Sequence, residues 1–506
     1  MKTKNYYKTL KTLAVAIFMG CSVLSTQAQI YVDAAATGTN NGSSWNNAFT
    51  DLQHALDAAA ENAEIRVASG TYKPTAAPDG STDDNRKKAF HFNKNLVLKG
   101  SYNPGTVNQD FTNPSILSGD FNDDDVITGS GSSLSITKNT ENAYHVLITA
   151  NLTTTAVIEG FLITGGFANG SSSISYGGKN FFNDYGGGMY HAFSSPSIVN
   201  TVFSGNSTTT FGGGMYNTNS SLSVVNTMFS GNSGGIIGGG MYNDRSSPSV
   251  VNTVFSGNSA NNGGGMYNQD SFPSIVNSTF SGNSAIKGGG IRDTNSSLTI
   301  YNSVFYGNGS DIENSSTTSS TTGEHNFSED YEETGFTALT ADPFYRSSDP
   351  IGADGVWFTD DDGLKPKIGS PIIDAGDADK LPSDTSDFDK DEDVAEAIPF
   401  DIRGRSRELG VSVDVGAYEY DSTVLSVKDT DSSKLDIYSS GYKTLVIHGV
   451  LNAKTTANVY SLQGKLVASK VFNKFSTSNS LDVSMLNTGI YIVKMYNAKH
   501  QVHTKK

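Results

Sequence analysis

The sequence predicts an all-β protein: a parallel β-helix (a solenoid) with an N-terminal capping helix, followed by a small C-terminal antiparallel β-sandwich. Three observations carry that expectation. A glycine-triplet motif recurs five times at spacings of 26, 26, 25 and 25 residues. Only 36% of the 506 residues are apolar while 53 are glycine, a balance that suits a core one side chain thick. Residues 425–506 then switch to longer alternating strands.

The chain opens with Lys2, Lys4, Lys8 and Lys11, an apolar run from Leu13 to Leu24, and small residues before Ala28. This pattern is a secretory signal peptide, residues 1–28. The run is shorter than the roughly 20 residues a membrane span needs, and no later stretch approaches that, so the protein is expected not to be membrane-spanning. Cleavage after Ala28 removes four lysines and the one cysteine, Cys21, which takes the net charge from −16 to −20 and excludes disulfides and thiol chemistry. That sign also argues against nucleic acid as a partner, since affinity there comes from neutralising phosphates.

Residues 29–154 are read as the cap and first coils. Trp45, Ala48, Phe49, Leu52, Ala55, Leu56 and Ala59 recur at helical spacing, which predicts an amphipathic helix over 46–60 that closes the stack. Ile65–Tyr72 and Phe90–Leu98 read as early strands.

Residues 155–310 hold the regular coils. Gly-Gly-Gly-Met-Tyr begins at Gly186, Gly212, Gly238 and Gly263, and Gly-Gly-Gly-Ile-Arg at Gly288. Phe-Ser-Gly-Asn-Ser follows from Phe203, Phe229, Phe255 and Phe280, with a variant at Phe305. Each Phe trails its glycine triplet by a constant distance, so the length variation lies in the loop before the next triplet. Period-2 alternation points Ile198, Val224, Val250, Ile275 and Ile300 inward, and the five Phe side chains should stack at the ~4.8 Å strand spacing. An asparagine two residues beyond each (Asn200, Asn226, Asn252, Asn277, Asn302) suits a left-handed bend. These paired motifs resemble the right-handed parallel β-helix repeats of secreted bacterial surface proteins, related to those of chlamydial polymorphic membrane proteins. Val157–Gly165 looks like an earlier, divergent coil.

Residues 311–421 are expected to be an acidic C-terminal β-helix segment. From Asp349 to Asp421 there are 20 acids and 7 bases, whereas residues 186–309 are neutral. Ser370-Pro371-Ile372-Ile373-Asp374-Ala375-Gly376 and Asp414-Val415-Gly416-Ala417-Tyr418-Glu419 resemble the end of the choice-of-anchor β-helix proteins. Asp387, Asp389, Asp391 and Asp393 alternate as the oxygen ligands of a calcium loop do. Glu392 and Ile398 stand where an EF-hand needs glycine and glutamate, so either a structural calcium of another kind or a solvated acidic loop fits.

In residues 425–506, Tyr460-Ser461-Leu462-Gln463-Gly464-Lys465, Leu481–Leu486 and Gly489-Ile490-Tyr491-Ile492-Val493 resemble the type IX secretion sorting domain. That resemblance implies the type IX secretion machinery as a partner and an address outside the cell, reached through the periplasm. One departure is Ser439-Ser440-Gly441, where the family carries Pro-Asn-Pro.

Two functional classes remain. The coils carry few catalytic candidates: His191, Asp244, Arg245 and Asp270, with Arg245 and Asp270 placed to meet as a surface ion pair. A polysaccharide lyase or glycoside hydrolase would need such groups as acid and base. Alternatively Tyr190, Tyr216, Tyr242 and Tyr267 should face outward in a column beside Asn217, Asn243 and Asn268. Such a face could stack on the sugar rings of an extracellular polysaccharide or host cell-surface glycan, or simply stabilise its own ladder. The favoured reading is an adhesive or glycan-binding surface protein.

Overall fold

A computed structural model describes residues 29–106, 108–384, 393–407 and 409–420, and most of 436–505. The described chain is all-β, with long parallel sheets and the short helix Leu52–Ala58. Two ten-stranded sheets and one of eight strands take one strand from each coil in turn, the arrangement a parallel β-helix requires. In the coil opening at Gly186 those strands are Met189–Ala192, Ser197–Val199 and Val202–Ser204.

Register follows the repeat residue for residue. Met189, Met215, Met241, Met266 and Ile291 pair in one sheet, Ile198 through Ile300 in the second, and Phe203 through Phe305 in the third. All of these are buried in one cluster. The phenyl rings lie 4.6–4.8 Å apart and within 9° of parallel, because in-register strands leave each ring the same rotamer as its neighbour. At the bends, Asn200, Asn226, Asn252, Asn277 and Asn302 have φ of 47–49°, the left-handed region expected of them.

The Phe-Ser-Gly-Asn asparagines do further work. Asn232 Nδ2 donates to Asn258 Oδ1 at 3.0 Å and to the Phe203 carbonyl at 2.8 Å, and its backbone N–H donates to the same Asn258 oxygen. Asn206, Asn258, Asn283 and Asn308 continue the ladder. A buried polar column is stable only when each member is satisfied, and this one is.

The predicted helix over 46–60 is shorter, Leu52–Ala58, starting at Asp51, whose carboxylate accepts from Gln53 N at 2.8 Å. Phe49 accounts for the difference: its backbone donates to Tyr31 O and bridges Val32, so it extends the first sheet instead of entering the helix. Leu52, Ala55, Leu56 and Ala59 bury against the first coils.

Coil strands continue to Phe336–Ala338. From Leu339 to Tyr420 the described chain then turns back and packs against the outside of the sheets instead of extending them. Val202, Met228, Val254 and Val304, which precede each inward Phe or lie beside it, point outward and are apolar. Phe344, Trp357, Leu364, Ile372, Val415 and Tyr418 cover them. Leu381 and Ile398 cover Val225 and Val251 on the adjoining sheet.

In the C-terminal region, Asp436–Ser439, Thr444–His448 and Ser478–Asp482 form one antiparallel sheet. Thr455–Ser461, Leu466–Phe472, Tyr491–Asn497 and Gln501–Lys505 form another. Leu445 and Leu481 of the first share a cluster with Val459, Phe472, Val493 and Met495 of the second.

Candidate functional site

The tyrosine column lies outside the methionine core, as alternation requires, yet it is not open to solvent. Tyr190, Tyr216, Tyr242 and Tyr267 are only 2–7% exposed. Phe181, Tyr185 and Phe211 form a second layer over them, with ring centroids 4.8 Å (Phe181 to Tyr190), 5.1 Å (Tyr185 to Tyr216) and 5.3 Å (Phe211 to Tyr242) apart. Phe181 belongs to a hairpin, Ser173–Tyr176 with Lys179–Phe182, inserted ahead of the first regular coil. The insertion and the variable loops thus cover the flat face that the repeat frame alone would leave open. Burial also raises the pKa values of Tyr190, Tyr216 and Tyr242.

Asn217, Asn243 and Asn268 alternate with these tyrosines and therefore point inward, fully buried. Asn217 Nδ2 donates to Asn243 Oδ1 at 2.9 Å, Asn243 to Asn268 at 2.8 Å, and Asn268 to Asp293 Oδ1 at 2.8 Å. His191 stands at the head of this column, buried, with Nδ1 2.6 Å from Thr149 Oγ1. Burial pulls its pKa down to about 3, so the ring is neutral.

Arg245 and Asp270 occupy equivalent places in adjacent coils, but the expected ion pair between them is replaced. Arg245 Nη2 pairs with the neighbouring Asp244 Oδ2 at 2.6 Å, and Asp244 also accepts from Thr218 Oγ1 at 3.0 Å. Asp244, one residue away in the chain, takes the Arg245 guanidinium, while Arg245 and Asp270 lie on left-handed turns with φ near 48°. They belong to a turn column, Phe193, Asn219, Arg245, Asp270 and Asn295, all left-handed and all exposed. Beside it Phe272 is 63% exposed, and Lys179 Nζ sits 3.6 Å from the centroid of the Phe193 ring. Sequence reasoning missed Phe193, Asn219 and Asn295. The signal available was variability: at this repeat position five coils carry four residue types, whereas the inward Phe position is the same in all five.

Of the four aspartates expected to hold calcium, Asp387, Asp389 and Asp391 lie outside the described residues. Asp393 is exposed, and its Oδ1 accepts from Ala395 N at 3.0 Å.

The folded-back segment holds several buried charged residues, among them Asp362, Asp401, Arg407, Asp414 and Glu419. Arg407 Nη1 donates to Glu419 Oε1 at 2.7 Å, while Nη2 reaches Asn252 Oδ1 at 2.6 Å, bolting the segment to a repeat bend. Asp362 is fully buried; its Oδ2 accepts from Tyr418 Oη at 2.9 Å and from Phe358 N at 3.1 Å, while Oδ1 has no donor. Burial pushes its pKa to about 8. The folded state thus holds a proton that an unfolded carboxyl, near 3.8, gives up. Stability contributed here therefore falls as pH rises from about 4 to about 8. Asp362→Asn is expected to flatten that slope, measured as the denaturation midpoint of the segment across the same pH range; an unchanged slope would assign it to other groups.

Comparison with known proteins gives three results. No curated protein matches the chain. A solved structure that matches is the pectin methylesterase from Aspergillus niger, 11% identical, covering 62% of this chain and 81% of that one with a TM-score of 0.23, a likeness too slight to carry any argument. Residues 440–506 match the family of secretion system C-terminal sorting domains. With those residues the chain carries a type IX secretion sorting domain, and it is exported to the cell surface or the extracellular space.

Proposed function

We propose that this protein is an adhesive or glycan-binding β-helix of the cell surface. The observation that carries the reading is the exposed turn column on an exported stack. Phe193 and Phe272 offer faces for sugar rings, and Asn219, Arg245, Asp270 and Asn295 offer donors and acceptors for hydroxyls at one coil spacing. Such a periodic strip suits a repeating polymer, either an extracellular polysaccharide or a host cell-surface glycan. The binding role read from the tyrosines passes to this strip, because the phenol rings are covered.

The reading takes the stack as right-handed, of the secreted bacterial repeat type, with Leu52–Ala58 as its cap. Residues 1–28 serve as the signal peptide, and the two C-terminal sheets form the β-sandwich that the sorting machinery engages. Calcium on Asp387, Asp389, Asp391 and Asp393 belongs to the same proposal.

A glycan array tests it. Arg245→Ala and Phe272→Ala are expected to weaken binding at least about tenfold, a loss of about 1.4 kcal/mol, with the melting temperature unchanged. Tyr242→Phe, which alters only a covered hydroxyl, is expected to bind as the parent does. Binding that survives both strip substitutions would remove the strip from the reading. Release of unsaturated uronides from an acidic glycan would instead favour the lyase.

A further inference from the structure

A second acidic cluster lies outside the acidic segment, at the base of a hairpin arm. Its strands, Val126–Thr128 and Ser135–Thr137, pair antiparallel and lie along the glycine turns of the regular coils. Gly131 N donates to Gly257 O at 2.8 Å, and Ile127 fills the space a Cβ on Gly205 would need. Immediately before the arm come Asp120, Asp124 and Asp125; immediately after it come Glu141 and Asn142.

Carboxylate oxygens of Asp120, Asp124 and Glu141 all lie within 4.8 Å of one another. Asp120 is buried and shapes the loop, its Oδ1 accepting from Asn122 N at 3.0 Å and Asp123 N at 2.7 Å and its Oδ2 from Asp125 N at 3.1 Å. That leaves about one lone-pair site of roughly four. Asn142 is 1% exposed; its Nδ2 donates to Asp125 Oδ2 at 2.8 Å, which holds the amide against the cluster, and its Oδ1 has no donor. Asp125 Oδ1 and Glu141 Oε1 are likewise buried without a donor. Three orphaned acceptors beside three clustered carboxylates is an arrangement that costs stability unless a cation fills it.

No described basic side chain takes that place. Lys73 pairs with Asp123 at 2.7 Å. Arg86 spends its donors on the Asn142 and Phe167 carbonyls and on Asn169 Oδ1.

We propose that Asp120, Asp124, Asp125, Glu141 and Asn142 bind a calcium ion that clamps the two ends of the hairpin arm together and holds it across the coils. An all-oxygen, mostly anionic and irregular ligand set suits calcium better than magnesium, which demands near-ideal octahedral geometry.

The test is hydrogen exchange on the full mature chain at about 1 mM calcium, the range of extracellular calcium modules, against magnesium and against EDTA. Calcium is expected to slow exchange in peptides spanning residues 120–142 about tenfold. Asp124→Asn with Glu141→Gln should abolish that protection. In EDTA the same double variant should match or exceed the parent in stability, because it removes like-charge repulsion, while in calcium it should fall below. Asp389→Asn, in the acidic segment, should leave the protection of 120–142 intact. Equal exchange in calcium and EDTA, calcium protection that survives the double variant, or magnesium protection equal to that of calcium would each overturn the proposal.

Discussion

Phe255→Ala is expected to destabilise the protein by about 3–5 kcal/mol. The ring is fully buried between Phe229, 4.8 Å away at 4°, and Phe280, 4.6 Å away at 5°. Truncation removes dispersion contacts on both faces at once. The gap cannot collapse, because the in-register backbones above and below are held by their own strand bonds and by the asparagine ladder. In a stack whose coils touch only their neighbours, the damage should centre on the coils around Gly238 and Gly263. Equilibrium denaturation reads the loss, and Phe272→Ala is the contrast: exposed, it should change stability by no more than about 0.5 kcal/mol. Equal effects from the two substitutions would mean the phenyl stack is not what holds the coils together.

Arg407→Ala is expected to cost a similar amount, about 3–5 kcal/mol, because it strands a buried carboxylate instead of exposing a cavity. Arg407 is 1% exposed, and besides Glu419 and Asn252 it donates to the Gly416 carbonyl at 3.2 Å and the Ala417 carbonyl at 3.3 Å. Without it, Glu419 can escape its isolation only by taking a proton, which burial already favours. The loss should therefore deepen as pH rises above the ordinary carboxylate range. Limited proteolysis distinguishes the site of damage: cleavage should increase between Leu339 and Tyr420 while the coils resist. Replacing both partners, Arg407→Met with Glu419→Leu, should recover part of the stability. A cost below about 1 kcal/mol, that of a surface pair, would show that the apolar cover over Val202, Met228 and Val254 holds the segment unaided.

The coils were legible because each repeat states its constraints five times. Phe203 to Phe305 and Asn200 to Asn302 recur at fixed offsets, and only a stack of in-register strands satisfies all of them together. The sorting domain was legible for a similar reason, since its strand motifs are local. The outward valines and methionine at 202, 228, 254 and 304 carried a signal that sequence reasoning missed, that the third sheet is covered, though nothing local says by what.

Burial of the tyrosines was not legible. Alternation says which side of the sheet Tyr190 to Tyr267 occupy, and it is right; whether water reaches that side depends on Phe181, Tyr185 and Phe211, which lie outside the repeated frame. The Arg245 pairing failed similarly, because equal repeat positions imply neighbouring backbones, while the adjoining Asp244 takes the guanidinium first.

Strand period, coil spacing and export address are properties of short stretches of chain, so the amino-acid order specifies them unaided. Covering layers, buried charge and the convergence of Asp120 with Glu141 depend on residues that meet only after the stack has formed. Each is set by a desolvation balance between distant segments, and that balance exists only in three dimensions.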